Sequence, residues 1–155
     1  MGGETGDGGV AESNQLLEDR ANSYQTLEGL TMKGIRIAES RKGFLRCHFV
    51  VSNLITVSSD PDGNWEIGAM ATLIDAVGVT AVYSLIRHLK GSVELSISVL
   101  STAKAQEEME IEAKIVGGRG RLVSVVIEVR RRSNGELIAL GKQWVAKATA
   151  GVWLR

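Results

Sequence analysis

The chain has 155 residues, 44% of them hydrophobic, and its 18 basic and 18 acidic side chains cancel. This length predicts a single domain with a hydrophobic core of its own. The zero net charge argues against nucleic acid or an anionic membrane surface as the main partner. A single cysteine, Cys47, excludes an internal disulfide framework, and with only two histidines we expect no metal site.

The N-terminal segment, residues 1–11, is rich in glycine and has no apolar stretch, so it predicts a disordered leader rather than a secretory signal. Residues 12–32 carry leucines among polar residues and predict one or two short helices. The C-terminal tail, residues 149–155, contains no peroxisomal tripeptide. Because no address signal is found, the default expectation is a soluble intracellular protein, cytoplasmic in location.

The main domain is predicted to span residues 33–148. It opens with residues 33–52, which predict two strands joined by a short turn, and the strongest loop signal follows at residues 58–64. Four further strand-like runs occupy the second half of the chain. These are residues 92–100, 108–116, 121–131 and 136–147. The basic run Arg130 to Arg132 is expected at a solvated strand end, with phosphate contact as the alternative.

Between the two sets of strands, residues 67–86 contain one ionisable group, Asp75. At helical pitch they span about 30 Å, and a helix with no polar face lies either at the centre of a protein or in a membrane. A charge near the centre and the strands that follow favour burial. We therefore predict an α+β domain in which a long antiparallel sheet surrounds one central apolar helix, at about residues 67–88.

The stretch from Asp60 to Gly78 resembles the signature of the PaaI-like acyl-CoA thioesterases, which have the hotdog fold. In that family a loop of the form N-x-x-G-x-x-H-G-G leads into an A-T-L-x-D run. Here residues 60–68 read DPDGNWEIG and residues 71–75 read ATLID, with the same spacing. The resemblance covers residues 33–148. It implies a homodimer or homotetramer that hydrolyses acyl-CoA without metal or organic cofactor, CoA arriving as part of the substrate.

Three positions depart from the family pattern, since Asp60, Glu66 and Ile67 stand where the family has Asn, His and Gly. The family's glycine pair lets a backbone N–H approach the substrate, whereas Ile67 keeps the N–H but adds a branched side chain. Two functions therefore stay open: an acyl-CoA thioesterase, and a non-catalytic hotdog module that binds acyl-CoA-like ligands. The absence of a histidine at the helix start argues against a hotdog dehydratase.

Thioester hydrolysis requires an oxyanion stabiliser and a group that activates water or attacks the carbonyl. The backbone N–H groups of Ile67 and Gly68, at a helix start, are suited to the oxyanion. Asp75 is the candidate base or nucleophile, with a structural hydrogen bond in the core as its alternative. Asp75 lies eight positions after Ile67, which corresponds to about 12 Å along the helix. One chain cannot place both on one carbonyl, so we predict a site shared across a dimer interface.

The remaining candidates each have a structural alternative. Ser92 aligns with a family serine that assists the carboxylate, but it equally suits the start of a strand. Asp60 fits an Asx-type turn and Glu66 fits a helix start, where the dipole favours an acid, and both are also candidate substrate contacts. Arg119 and Arg121 flank a glycine-rich turn and are candidate contacts for the CoA phosphates, with exposed side chains of no specific role as the alternative.

Overall fold

The computed structural model describes residues 8–23, 26–57 and 63–148 of the chain. Within these ranges the α-helices are α1 (Gly8–Ala21), α2 (Leu27–Met32) and α3 (Ile67–Tyr83), and a short 3-10 helix spans Asn53–Ile55. The strands are β1 (Arg36–Arg41), β2 (Phe44–Val50), β3 (Leu89–Val99), β4 (Glu108–Arg119), β5 (Leu122–Arg131) and β6 (Leu137–Lys147).

The six strands form one antiparallel sheet in the order β1-β2-β4-β5-β6-β3. Alternate side chains of its central strands are fully buried, as on β5, and α3 packs against the face that they form. On its other side α3 contacts α1 and α2. The predicted α+β architecture, a long sheet around a central apolar helix, is therefore confirmed.

Helix α3 approaches β6 closely at two glycines. A Cβ atom on Gly141 would lie 2.8 Å from Ile74, and a Cβ atom on Gly78 would lie 2.0 Å from the side-chain oxygen of Gln143. Because both distances are shorter than real Cβ contacts, a larger residue at either glycine would force Ile74 or Gln143 to shift. The close approach places Asp75, which lies one turn before Gly78, beside the inner face of β6.

The central helix is shorter than the sequence predicts, because it ends at Tyr83 rather than near residue 88. Ser84 ends it by donating from Oγ to the Ala81 carbonyl and accepting the N–H of Gly43, at 2.9 Å. His88 lies beyond the end of the helix, and its carbonyl accepts the N–H of Ala148, which extends the pairing of β3 with β6. The prediction was too long because apolar residues also follow Ser84 in the sequence, although they lie in a loop.

Other boundaries shift by a few residues. Helix α1 begins at Gly8, so residues 8–11 of the predicted leader are helical, whereas residues 1–7 and 149–155 lie outside the described residues. The predicted strands at 108–116 and 121–131 leave residues 117–120 between them, and the observed turn is shorter because β4 continues to Arg119. Within the described ranges, no helix has both the length and the apolar character needed to cross a membrane.

Candidate active site

The side chain of Asp75 is held at one of its two oxygens. Its Oδ1 accepts from Ser92 Oγ at 2.5 Å and from Gln143 Nε2 at 2.6 Å. Gln143 Nε2 also donates to Ser92 Oγ at 2.8 Å. No described residue is hydrogen-bonded to Oδ2 of Asp75. Three elements, α3, β3 and β6, thus fix one carboxylate oxygen and leave the second one available.

A β-bulge turns Ser92 towards the helix. In the pairing of β3 with β6, Ser92 lies opposite Val145, but Glu94 lies opposite Trp144. Val145 is buried on the inner face, and its neighbour Trp144 belongs to the outer face. In a regular strand Ser92 and Glu94 would share a face, so the extra residue between them redirects Ser92 inward. The structure therefore brings together two of the residues that the sequence singled out, Asp75 and Ser92.

Gln143 was not identified from the sequence. Its side chain is 1% exposed, and its neighbours across the sheet are Leu95 on β3 and Val125 on β5. The inward positions of β6 around it are small or apolar, so a single glutamine interrupts an otherwise apolar alternation. Such an interruption was the available signal, because a buried amide requires hydrogen-bonding partners.

At the start of α3, the carboxylate of Glu66 caps the helix. It accepts the N–H of Gly68 at 2.9 Å and the N–H of Ala69 at 2.7 Å. The Gly68 amide, one of the two expected oxyanion donors, is therefore engaged by this chain's own acid. No described residue accepts the N–H of Ile67, whose side chain is 59% exposed. Of the two expected oxyanion donors, the Ile67 amide is thus the one that no described residue engages.

Ile67 and Asp75 do not meet within one chain. Helix α3 is continuous from Ile67 to Tyr83, so Asp75, eight positions after Ile67, lies about 12 Å further along its axis. The predicted separation of the amide from the carboxylate therefore holds. Asp60, the candidate substrate contact in the preceding loop, lies outside the described residues.

Arg119 and Arg121 lie at the β4–β5 turn, where both are exposed. This turn is at the same end of the sheet as Ser92, because Val123 pairs with Val145 and Val145 pairs with Ser92. Two strand spacings, about 10 Å, separate β5 from β3. Both arginines therefore belong to the end of the sheet at which Ser92 contacts Asp75.

The basic run at the other end of β5 is engaged in ion pairs. Arg131 contacts both Glu107 and Glu136, and the two flanking arginines each contact a glutamate. The outer face of β1, β2 and β4 has a similar network, in which a hydrogen bond to Glu112 raises the pKa of Arg46. These charges balance one another away from Asp75. The arginine run is an ion-paired strand end.

Cys47 is buried beneath this outer network. Its side chain is fully buried on the inner face of β2, and this burial raises the pKa of the thiol to about 12. A thiol with such a pKa is protonated at neutral pH and is a poor nucleophile. Within the described ranges, no three His, Cys, Asp or Glu side chains are grouped so as to hold a metal ion.

No family model matches the sequence. A Caenorhabditis elegans protein that is named an esterase is 29% identical over 141 residues, which cover 86% of this chain and 81% of that protein. Acyl-coenzyme A thioesterase 13 of Mus musculus is 33% identical over 81 residues, which cover 52% of this chain and 58% of the mouse protein.

Solved structures resemble this one over most of its length. Zebra fish thioesterase superfamily member 2 has a TM-score of 0.79 at 23% identity, over 90% of this chain and 98% of that chain. The Escherichia coli PaaI protein has a TM-score of 0.68 at 16% identity, over 89% of this chain and 95% of that chain. A Streptococcus pneumoniae protein, named a hypothetical thioesterase protein and solved with coenzyme A, has a TM-score of 0.67 at 20% identity, over 75% of this chain and 90% of that chain. These likenesses confirm the hotdog fold and the resemblance to PaaI-like thioesterases.

Proposed function

We propose that this chain, which has the hotdog fold of the thioesterase superfamily, hydrolyses an acyl-CoA thioester to free CoA and a carboxylic acid. One observation carries the proposal. The only carboxylate of the central helix, Asp75, is held at Oδ1 by Ser92 and Gln143 while Oδ2 has no partner among the described residues. A carboxylate with one fixed and one available oxygen is placed as a general base or a nucleophile.

In the general-base route, Asp75 Oδ2 accepts a proton from water while the water oxygen attacks the thioester carbonyl carbon. The carbonyl oxygen gains negative charge, which a backbone N–H stabilises. Collapse of the tetrahedral intermediate breaks the C–S bond, and the proton passes from Asp75 to the CoA sulfur. In the nucleophilic route the same oxygen attacks the carbonyl carbon, the C–S bond breaks and CoA leaves as the thiolate. Water then hydrolyses the mixed anhydride to the carboxylic acid and the free Asp75 carboxylate, and a proton of that water passes to the thiolate. In both routes Ser92 steadies Oδ1.

The stabilising N–H is assigned to Ile67 of a second copy, because Ile67 and Asp75 of one chain lie too far apart on α3. The edge strand β3 supports such an assembly. It is 11 residues long, and within the described part of the chain its outer edge has no partner strand. Val93 and Val99 on it are 59% and 39% exposed. A long exposed edge of this kind requires cover, and antiparallel pairing with a second β3 provides it with two-fold symmetry.

The CoA part of the substrate is assigned to the arginine end of the sheet. Arg119 and Arg121 are exposed there, and no ion pair with a described residue engages either of them. Their guanidinium groups are suited to phosphate oxygens. Asp60 and Glu66 are assigned to the acyl side, since both belong to the segment that leads into α3. The coenzyme A in the streptococcal neighbour supports this ligand class.

A second candidate, a module that binds acyl-CoA without hydrolysing it, is favoured by the start of α3. Glu66 engages the amides of Gly68 and Ala69 and brings negative charge to the place where an oxyanion would form. The side chain of Ile67 also stands where the family has glycine. Both features weaken oxyanion stabilisation, while neither prevents binding.

The test is thiol release from a panel of short, long and aromatic acyl-CoAs, with wild type beside Asp75→Asn. Asparagine keeps the shape and an acceptor for Ser92, so we expect the fold to persist and kcat to fall by about 10²–10⁴-fold. Glu94→Gln, on the outward face of the same strand as Ser92, is the matched control and should retain activity. An active Asp75→Asn protein would contradict the assignment, and a wild type that binds but cleaves none of the panel would establish the second candidate.

A further inference from the structure

Gln143 is a buried amide in which only one end is satisfied. Its Nε2 lies 2.6 Å from Asp75 Oδ1, 2.8 Å from Ser92 Oγ and 3.4 Å from the Asp75 carbonyl oxygen. Its Oε1 is buried and has no hydrogen-bond partner among the described residues. A buried acceptor without a partner costs free energy, so something in the site must compensate for it.

The negative charge of Asp75 accounts for this orientation. Rotating the Gln143 amide by half a turn would place Oε1 against Asp75 Oδ1, so that two acceptors would be in contact. In the observed orientation the NH₂ group donates to an ionised oxygen, which makes a stronger hydrogen bond than one between neutral groups. The unpaired Oε1 is therefore the consequence of directing the donor end at Asp75.

A second feature of the fold makes room for the same amide. A Cβ atom on Gly78 would lie 2.0 Å from Gln143 Oε1 and 3.1 Å from its Cδ. Glycine inside a helix is unfavourable because of its conformational freedom. Here it leaves the space that the Gln143 amide occupies. An unpaired acceptor and a helical glycine, on two different elements, thus both serve to keep one NH₂ group beside Asp75.

We infer that Gln143 is a positioning residue for the hydrolysis proposed above, on which this inference rests. Its amide binds Oδ1 and fixes the rotation of the carboxylate, so that Oδ2 is the oxygen presented to water or to the thioester. Its second hydrogen bond occupies an acceptor site on Ser92 Oγ, which leaves the Ser92 hydroxyl hydrogen directed at Asp75. Reaction rates depend steeply on such geometry, because the reacting atoms must be aligned before bonds change.

The substitution that isolates this role is Gln143→Met, which keeps the length of the side chain and removes both the donor and the unpaired acceptor. We expect kcat for acyl-CoA to fall by about 10–100-fold, because Asp75 loses its alignment, while KM stays within about threefold. The melting temperature should be unchanged or higher, since an unsatisfied polar group is removed. Gln143→Glu has the same shape and should lower kcat further, because a second carboxylate faces Asp75.

The control is Gln15→Met, the same exchange on the exposed face of α1, which should leave both kcat and the melting temperature unchanged. A merely structural role for Gln143 predicts the opposite pattern: a lower melting temperature for Gln143→Met with kcat of the folded protein retained. That pattern would overturn the inference.

Crystal structures of wild type and Gln143→Met separate this inference from the proposed function. If the wild type cleaves no acyl-CoA, the proposed function fails. The position of the Asp75 side chain in the two structures then tests the positioning role of Gln143 by itself. Loss of the Asp75–Ser92 contact or a second Asp75 rotamer in the variant would support the positioning role. An unmoved Asp75 carboxylate would overturn it.

Discussion

Gly78 on α3 and Gln143 on β6 fit together so closely that a Cβ atom on the glycine would lie 2.0 Å from Gln143 Oε1. Because of this fit, the distance at which α3 packs against the sheet and the position of the Gln143 amide beside Asp75 depend on each other. A change at either residue therefore reaches the carboxylate, although Gly78 makes no hydrogen bond to it.

Gly78→Ala should both destabilise the protein and slow the reaction. Overpacking of this kind costs about 1–3 kcal/mol, and displacement of Gln143 should lower kcat. Urea unfolding and thiol release measure the two effects. Gly117→Ala is the control, because a Cβ atom there meets nothing within 4 Å. If Gly78→Ala matched wild type in both measurements, the close fit would have no energetic consequence.

Glu66→Gln should raise kcat/KM by roughly 3–10-fold, since it removes negative charge from the place where an oxyanion forms. The single amide oxygen can accept only one of the two N–H groups that the carboxylate engages. The expected loss of stability is therefore the charge–dipole part, about 0.3–1 kcal/mol, together with one capping hydrogen bond, about 0.5–1.5 kcal/mol. Initial rates and thermal unfolding of Glu66→Gln and Glu66→Ala beside wild type measure both. A lower kcat/KM for Glu66→Gln would contradict this prediction, because the contact of the carboxylate with the substrate would then outweigh the effect of its charge on the oxyanion.

Cys47 should make stability depend on alkaline pH. Burial raises the pKa of the thiol from 9.0 to about 12, so the unfolded chain releases this proton before the folded one does. The free energy of unfolding should therefore fall as the pH rises from 9 towards 12. Urea unfolding between pH 8 and 10.5 tests this. The same measurement on Cys47→Ala gives the pH dependence that the other titrating groups contribute, which is subtracted. Equal pH slopes in the two proteins would contradict the buried, protonated thiol.

Replacing Arg119 and Arg121 by alanine should raise KM for acyl-CoA about 3–30-fold with kcat retained, because phosphate contacts strengthen binding without taking part in bond breaking. The effect should vanish with an acyl-pantetheine substrate, which lacks the nucleotide phosphates. Arg132→Ala, at the ion-paired end of β5, is the matched control. A KM that rises equally for both substrates would place the phosphates elsewhere.

The sequence predicted the features that depend on local pattern. The apolar run around Asp75 predicted the central helix, and alternation predicted the strands that surround it. Gln143 was missed, because its contact with Asp75 requires the register of β6 against β3 and the depth of α3 at Gly78. The bulge beside Ser92 and the capping of Gly68 by Glu66 likewise depend on backbone geometry and a side-chain rotamer, which no periodicity reveals.

The proposed active site combines Ile67 of one protomer with Asp75 of the other. Ile67→Pro removes the N–H with little effect on the helix, because proline suits the first helical position and Glu66 has the extended backbone (φ −72°, ψ 130°) that precedes proline. Ile67→Pro and Asp75→Asn homodimers should both be nearly inactive.

The most direct measurement is thiol release by the heterodimer of these two variants, co-expressed with different affinity tags and purified through both. One of its two sites then has an intact Ile67 from one chain and an intact Asp75 from the other. We predict about half of the wild-type rate per dimer. A heterodimer as inactive as its parents, or a failure of the two chains to associate, would contradict a site shared between protomers.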